Sequence, residues 1–254
     1  MASLTRTVPT SVLAIAIAFS AVACSSGGSG GSGGSGTPAP TSLSGTPDQI
    51  VKKAVNDLNA AKSVQISGNV VSDGTNIKVE LTDAVAGCKG TITLATSSPG
   101  SSGASAVSGT ADLIEADGTV YMKLDASFFK GLSLPSSVFS EVNGKYIEVN
   151  SKSELANFAQ LCDPSSLASG FDKEVTGFVK DGTATINGQA AEAFKQPTHS
   201  GSGIVYISVS ATPEIVRLQG PSNEGQINFT NYNAPATITA PPASEVVQGS
   251  KFGL

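Results

Sequence analysis

The sequence predicts an α+β domain in which one antiparallel sheet is preceded by a helix and interrupted midway by more helix. Three observations carry this. Apolar residues first recur at helical spacing, from Val64 onward they recur at every second position, and Asp-Gly and Asn-Gly pairs punctuate the alternating stretches.

The opening helix is expected over 47–62. Thr46 is placed as N-cap, Pro47 takes the first helical position, and Gln49 stands three residues after the cap, which is the capping-box arrangement. Ile50, Val51, Ala54, Val55, Leu58 and Ala61 then fall on one face. Beyond it, Ile77, Val79 and Leu81 alternate with Lys78, Glu80 and Thr82. Ile92 and Leu94 alternate with Thr91 and Thr93, and Val120, Met122 and Leu124 with Tyr121 and Lys123. Such stretches are strands with one apolar and one polar face. Asp73-Gly74, Asp117-Gly118, Asn143-Gly144, Asp181-Gly182 and Asn187-Gly188 read as tight hairpin turns, because glycine accepts a positive φ at no steric cost.

Two helices are expected in the middle, over 126–132 (ASFFKGL) and 151–162 (SKSELANFAQLC). The second would be opened by a capping box of Ser151 with Glu154 and stopped by Asp163-Pro164, with Leu155, Phe158 and Ala159 as its apolar stripe. Strands then return at 183–186, 189–195, 204–210, 215–218 and 226–230. The tail 243–254, after Pro241-Pro242, shows no regular pattern and is expected to be flexible.

Ahead of the domain, Met1 to Thr10 carries one basic residue, Arg6, and 11–22 (SVLAIAIAFSAV) is apolar. That is the layout of an export signal. The run is shorter than the ~20 residues a transmembrane helix needs. Ala21-Val22-Ala23-Cys24 resembles a bacterial lipobox, in which the thiol of the cysteine accepts a diacylglyceryl group and the leader, 1–23, is removed. Cysteine is required there because its thiolate is the nucleophile. The alternative is an ordinary leader cut after Ala23 that leaves Cys24 as a free thiol. Residues 24–45, rich in Gly, Ser and Pro, then form a coil with a span of roughly 25 Å, long enough to hold a domain at 46–242 clear of a membrane.

The chain carries 15 basic and 20 acidic side chains, a formal charge of −5, which becomes −6 once Arg6 leaves with the leader. This charge offers no footprint for nucleic acid, which calls for clustered Lys and Arg. Membrane association would come from acyl chains on Cys24, placing the protein on the outer, periplasmic or extracellular side of a cell membrane. The other two cysteines, Cys88 and Cys162, lie in the exported part, where disulfides persist. They read either as a bridge, worth about 4 to 5 kcal/mol in the chain-entropy model, or as two buried thiols.

No catalytic, metal or cofactor constellation stands out. The GxGxxG match at Gly28 to Gly33 and the GxSxG match at Gly27 to Gly31 fall in the tether, without the strand before and helix after that each chemistry needs. His199 is the only histidine and is flanked by Pro197, Gly201 and Gly203, as in a solvent-exposed loop. An exported hydrolase built around it would still need a nucleophile that nothing locates. Asp112 and Glu115 stand at the mouth of an apparent hairpin, where solvation accounts for them. Asn228-Phe229-Thr230 matches a glycosylation sequon that a bacterial lipoprotein would seldom use.

The lipobox, the tether, the opening helix PDQIVKKAVNDLNAAKSVQISG, the hairpin DLIEADGTVYMKLD, the helical insert and the closing INFTNYNAPATITAPP together resemble the actinobacterial, mycobacterial-type LppX/LprG lipoproteins, which are similar to the LolA/LolB lipoprotein carriers. The resemblance spans most of 47–242. It implies a half barrel of antiparallel strands with helices covering an apolar cavity, and a non-enzymatic protein that carries or presents acylated lipids or glycolipids, with an envelope transport protein as partner. The candidate cavity wall is Val79, Leu81, Ile92, Leu94, Val120, Met122, Phe128, Phe129, Leu155 and Phe158. The same alternation also builds a dry core between a sheet and its helices. A structural or signalling lipoprotein that acts through a protein partner is the alternative function. Metabolic labelling with a palmitate analogue checks the anchor: the chain takes up label, and Cys24→Ala abolishes it.

Overall fold

The computed structural model describes residues 42–254, apart from 73–74, 97–107, 133–134, 165–175, 198–202 and 222–223. All of them belong to one unit, Ala39–Leu254. Cys24, the Gly/Ser motifs, His199 and the Asp73-Gly74 turn lie outside the described residues.

Helix α1 (Pro47–Asn59) starts where the capping box places it. The Gln49 amide donates to Thr46 Oγ1 at 3.3 Å and the Thr46 amide to Gln49 Oε1 at 3.0 Å. Ile50, Val51, Ala54, Val55 and Leu58 form its buried face. The side chain of Asp48 in the first turn accepts from the amides of Phe178 (2.8 Å) and Gly177 (3.2 Å), which ties the helix to the chain entering the later strands.

Strands β1 (Ser63–Ser72), β2 (Thr75–Ala84), β3 (Gly87–Thr96), β4 (Gly109–Ala116) and β5 (Thr119–Leu124) follow as sequential antiparallel neighbours. The chain then forms α2 (Ala126–Gly131), α3 (Ser136–Val142), a short β6 (Tyr146–Glu148) and a 3₁₀ helix (Glu154–Cys162). A second meander comprises β7 (Val179–Ile186), β8 (Gln189–Lys195), β9 (Ile204–Ser208), β10 (Ile215–Gln219) and β11 (Gly225–Thr230). β12 (Val246–Gln248) is the last strand. The spatial order is β12-β6-β5-β4-β3-β2-β1-β11-β10-β9-β8-β7, an open sheet of 12 strands in which β1 and β11 join the two meanders. The helices lie on one face, with α1 against β7, β9 and β10, α2 against β4, and the 3₁₀ helix against β2 and β3.

Two inward-facing glycines interrupt the apolar register in mid-strand. Gly68 sits opposite Val79 and Ile227, and Gly90 opposite Leu81 and Leu113, with φ of +157° and +156°. A Cβ at either position would run into backbone of the adjacent strand, the carbonyl of Gln226 in one case and of Glu80 in the other. Such close approach lets a broad sheet coil, which side chains at those points would resist.

Several expectations are corrected. Asp117-Gly118 and Asn187-Gly188 make their hairpins with positive φ at both residues. Asn143-Gly144 instead ends α3, and Asp181-Gly182 lies inside β7 at a shift of register between Lys180 and Thr183. Glycine serves a helix end and a bulge as readily as a hairpin, so the dipeptide alone does not choose. The segment expected as an α-helix over 151–162 is a 3₁₀ helix whose cap is Ser153, the side chain of which accepts from the Leu155 amide at 3.2 Å. Leu155, Phe158 and Leu161 recur at intervals of three, and a three-residue turn stacks them along one edge. Helix α3 escapes the sequence pattern, because Val138, Phe139 and Val142 form an apolar stripe too short to stand out.

The tail carries regular structure against the sheet. β12 pairs in parallel with β6, the Asn150 amide donates to the Leu254 carbonyl at 3.0 Å, and Leu254 is buried. β6 has only three residues and would otherwise leave a bare edge beside the core. The chain reaches it along 231–242, where the Asn233 amide donates to the Ser63 carbonyl (2.8 Å) and Lys89 Nζ to the Thr237 carbonyl (2.8 Å). Replacing Gly90 with Ala is expected to cost about 2 kcal/mol, of the order of other backbone strain, and a lower midpoint of urea unfolding at unchanged slope checks it.

Candidate functional site

The site is built by the inward faces of β2 to β5. Val79 and Leu81 from β2, Ile92 and Leu94 from β3, and Met122 from β5 are all buried. Over them sit Phe128 and Phe129 of α2 and Leu155 of the 3₁₀ helix, also buried. Val120 and Phe158 are partly buried and pack against the same cluster. Asp125 positions α2 by capping it: its carboxylate accepts from the Phe128 amide at 2.7 Å and from the Thr110 amide on β4 at 2.8 Å. The rings of Phe128 and Phe158 then meet edge to face at 5.9 Å, and those of Phe129 and Phe139 lie 5.0 Å apart.

All ten predicted residues therefore fall in one continuous apolar layer between sheet and helices. Of the ten, Leu81 and Val120 line described clefts. The clefts lie around it. One of about 580 Å³ occupies the opposite, polar face, lined by Gln65, Ser67, Thr82, Thr91 and Asp112 among others. A second, of about 720 Å³, opens at the rim of the layer between the end of α1 (Leu58, Asn59) and the end of the 3₁₀ helix (Ala159, Gln160).

That rim holds Asp83, which sequence reasoning passed over, beside the two cysteines and Glu115, which it had named. Cys88 and Cys162 are disulfide-bonded, with Cα atoms 5.5 Å apart, so the 3₁₀ helix is fixed covalently to β3 at its last residue. In register, Asp83 stands opposite Cys88 and Cys88 opposite Glu115, so all three point to the covered face. Asp163 follows Cys162, and the bond lies among three carboxylates. Burial, then the charges of Asp163 and Glu115, push the carboxyl of Asp83 up to about 7, against an opposing hydrogen bond from the Ala84 backbone. A signal was present in the sequence: Asp83 continues the apolar series Ile77, Val79, Leu81, and Glu115 continues Ala111, Leu113.

A second missed group is Glu192, buried on β8, whose carboxylate accepts from Lys180 Nζ (2.7 Å) and from the Leu43 amide (3.2 Å). Leu43 itself packs on the core, so this carboxylate holds the chain just before α1.

The remaining chemical candidates separate. Asp112 pairs with Lys123 at 3.3 Å on the polar face, whereas Glu115 points to the covered one, because residues three apart on a strand face opposite ways. Asn228, in the sequon, is held in the middle of the sheet, accepting from Arg217 Nε at 2.8 Å and donating to the Ser67 carbonyl. Among the described residues no group of His, Cys, Asp and Glu is placed to hold a metal ion, and no helix is long and apolar enough to cross a membrane.

No family model matches the chain, and no curated protein matches it. Solved structures do. LprF from Mycobacterium bovis is 14% identical over 78% of this chain and 99% of its own, with a TM-score of 0.49. An uncharacterized conserved protein from Thermus thermophilus is 10% identical over 79% and 97%, with a TM-score of 0.35. A putative outer membrane lipoprotein-sorting protein domain from Vibrio parahaemolyticus is 12% identical over 75% and 94%, with a TM-score of 0.26.

Because its pKa in the folded protein is raised, Asp83 contributes stability that is present below about pH 4 and lost as pH rises through about 7. Urea titrations across that window should show wild type losing stability relative to Asp83→Asn, and parallel profiles would refute this.

Proposed function

We propose that this chain is an exported, membrane-tethered, non-enzymatic module that binds acylated lipid between its sheet and the helices over it. The observation that carries this reading is the continuous apolar layer formed by the ten residues on one face of an open sheet. It is roofed, over β2 to β5, by short helices that meet the sheet through side chains and a single disulfide. Sliding an acyl chain into such a layer exchanges apolar contacts and shelters its methylenes from water, each worth about 0.8 kcal/mol. Affinity then needs no charged recognition group. Lipidated Cys24, with the tether after it, would keep the domain within reach of a membrane that supplies or accepts the ligand, and an envelope transport protein would be the partner that completes delivery. The glycolipid subclass rests on the sequence resemblance.

The alternative, a ligand-free module that docks on a protein, calls for a broad exposed apolar patch. Among the described residues the large apolar side chains standing exposed are Val85 and Val179. The test is mass spectrometry of lipid extracted without hydrolysis from the full chain, purified in a mild detergent, so that acyl groups covalently held at Cys24 stay with the protein. About one acylated lipid per chain is expected, falling at least tenfold in Phe158→Glu. A lipid-free wild type that also fails to take up an apolar fluorophore would overturn the reading.

A further inference from the structure

The face of the sheet turned away from the helices carries a cleft of about 580 Å³ across β1 to β4, within the size range of small-ligand sites. We propose that this cleft is a second binding site, for a neutral sugar chain, separate from the apolar layer on the other side of the sheet.

Register explains why a sheet face has a hollow there. Thr82 of β2 stands between Gln65 of β1 and Lys89 of β3, and Thr91 of β3 stands between Glu80 of β2 and Asp112 of β4. Short, half-buried hydroxyl side chains thus form the floor, and longer ones form the walls. Ser67 and Thr230 extend the floor toward β11. The walls are held in place. Lys89 Nζ donates to the Thr237 carbonyl at 2.8 Å and Gln65 Oε1 accepts from Asn231 Nδ2, so the chain leaving β11 fixes one side. On the other side Lys123 pairs with Asp112 at 3.3 Å and lies 4.7 Å from the centre of the Tyr146 ring. Glu80 pairs with Lys78 at 2.7 Å.

The chemistry of the cleft selects the ligand. Glu80, Asp112 and Lys89 are its charged lining groups and each is engaged by these contacts, so an ionic ligand finds no unpaired counter-charge there. The hydroxyls of Ser67, Thr82, Thr91 and Thr230 have no protein partner among the described residues, and each offers one donor and two acceptor sites. Ile114 and Tyr146 add a small apolar surface at one end. Hydroxyls beside a surface for ring C–H groups match a pyranose, whose rim is polar and whose faces are partly apolar. The competing ligand classes fit less well. Strand addition of a peptide needs a free edge, and these strands are paired on both sides. A protein interface would call for aromatic anchors at its centre, and nucleic acid for clustered Lys and Arg, whereas the described lining has Lys89 alone. The site does not depend on the lipid-binding reading, because Val79 and Ile92, the layer residues of the same strands, face the opposite way.

Amide NMR on the full chain in a mild detergent without sugar groups tests this. The neutral probes are maltotriose, cellotriose and triacetylchitotriose, and the acidic one is trigalacturonate. At least one neutral probe should shift the amides around Thr82 and Thr91 saturably, with a Kd in about the millimolar range that a few hydrogen bonds provide. The double variant Thr82→Val, Thr91→Val keeps side-chain shape and strand propensity and should weaken that binding about tenfold, with amides of β7 to β10 unmoved. No saturable shift with any neutral probe, equal affinity in the double variant, or trigalacturonate bound as tightly would overturn the site. Dodecyl maltoside below its micellar concentration separates a lipid headgroup from a free glycan. Shifts at Thr82 and Thr91 with maltotriose as well as with the acylated sugar support a site for the glycan itself, whereas shifts with the acylated sugar alone would overturn it.

Discussion

The pairing of β1 with β11 makes one sheet out of two meanders. Each meander alone could be a small sheet with a half-covered face. Joined through Gln65 opposite Thr230 to Val70 opposite Gly225, they present one apolar surface that is too broad for any single helix among the described residues. The remainder of the architecture answers that surface. α1 covers the β7 to β10 side, the 3₁₀ helix and α2 cover the β2 to β4 side, and the seam between the two covers falls at the rim with the disulfide. Glycines at 68 and 90 belong to the same account, because both lie in the central strands and on the inner face, where the sheet must coil most closely.

A roof made of separate short pieces is an unusual way to close a core. One long amphipathic helix would bury the same face with fewer unsatisfied ends, since each helix terminus leaves backbone groups to be capped. Here the caps are supplied locally, by Thr46 for α1, Asp125 for α2 and Ser153 for the 3₁₀ helix. Each of these three pieces thus has a cap of its own, while α3 begins at Pro135 without a side-chain cap.

The edges of the sheet are treated differently from its middle. β6 is shielded by β12, a strand brought from the far end of the sequence along the ends of the intervening strands. On the opposite side, β7 is interrupted at Asp181-Gly182 and exposes a largely polar outer row, both of which discourage pairing with another chain. Near that edge, buried Glu192 takes the amide of Leu43, so the place where the folded unit takes up the chain from the N-terminal segment is fixed by a charged acceptor.

Local chemistry was legible in the sequence, and long-range pairing was not. The capping box at Thr46, the alternations in β2, β3 and β5, the Asp117-Gly118 and Asn187-Gly188 hairpins and the apolar residues of the layer all depend on neighbours a few positions away, and period and turn chemistry expose them. Asp83 was legible too, as a carboxylate standing on the apolar register, although alternation alone does not tell a rim from a core. What only the tertiary structure decided are the meetings across long separations: β1 with β11, β12 with β6, Leu43 with Glu192, and the ring of carboxylates around Cys88–Cys162. Each is fixed by which apolar surfaces must be covered once the sheet has formed. No window of neighbouring residues contains that information, because the covering partner is chosen by the shape of the whole surface.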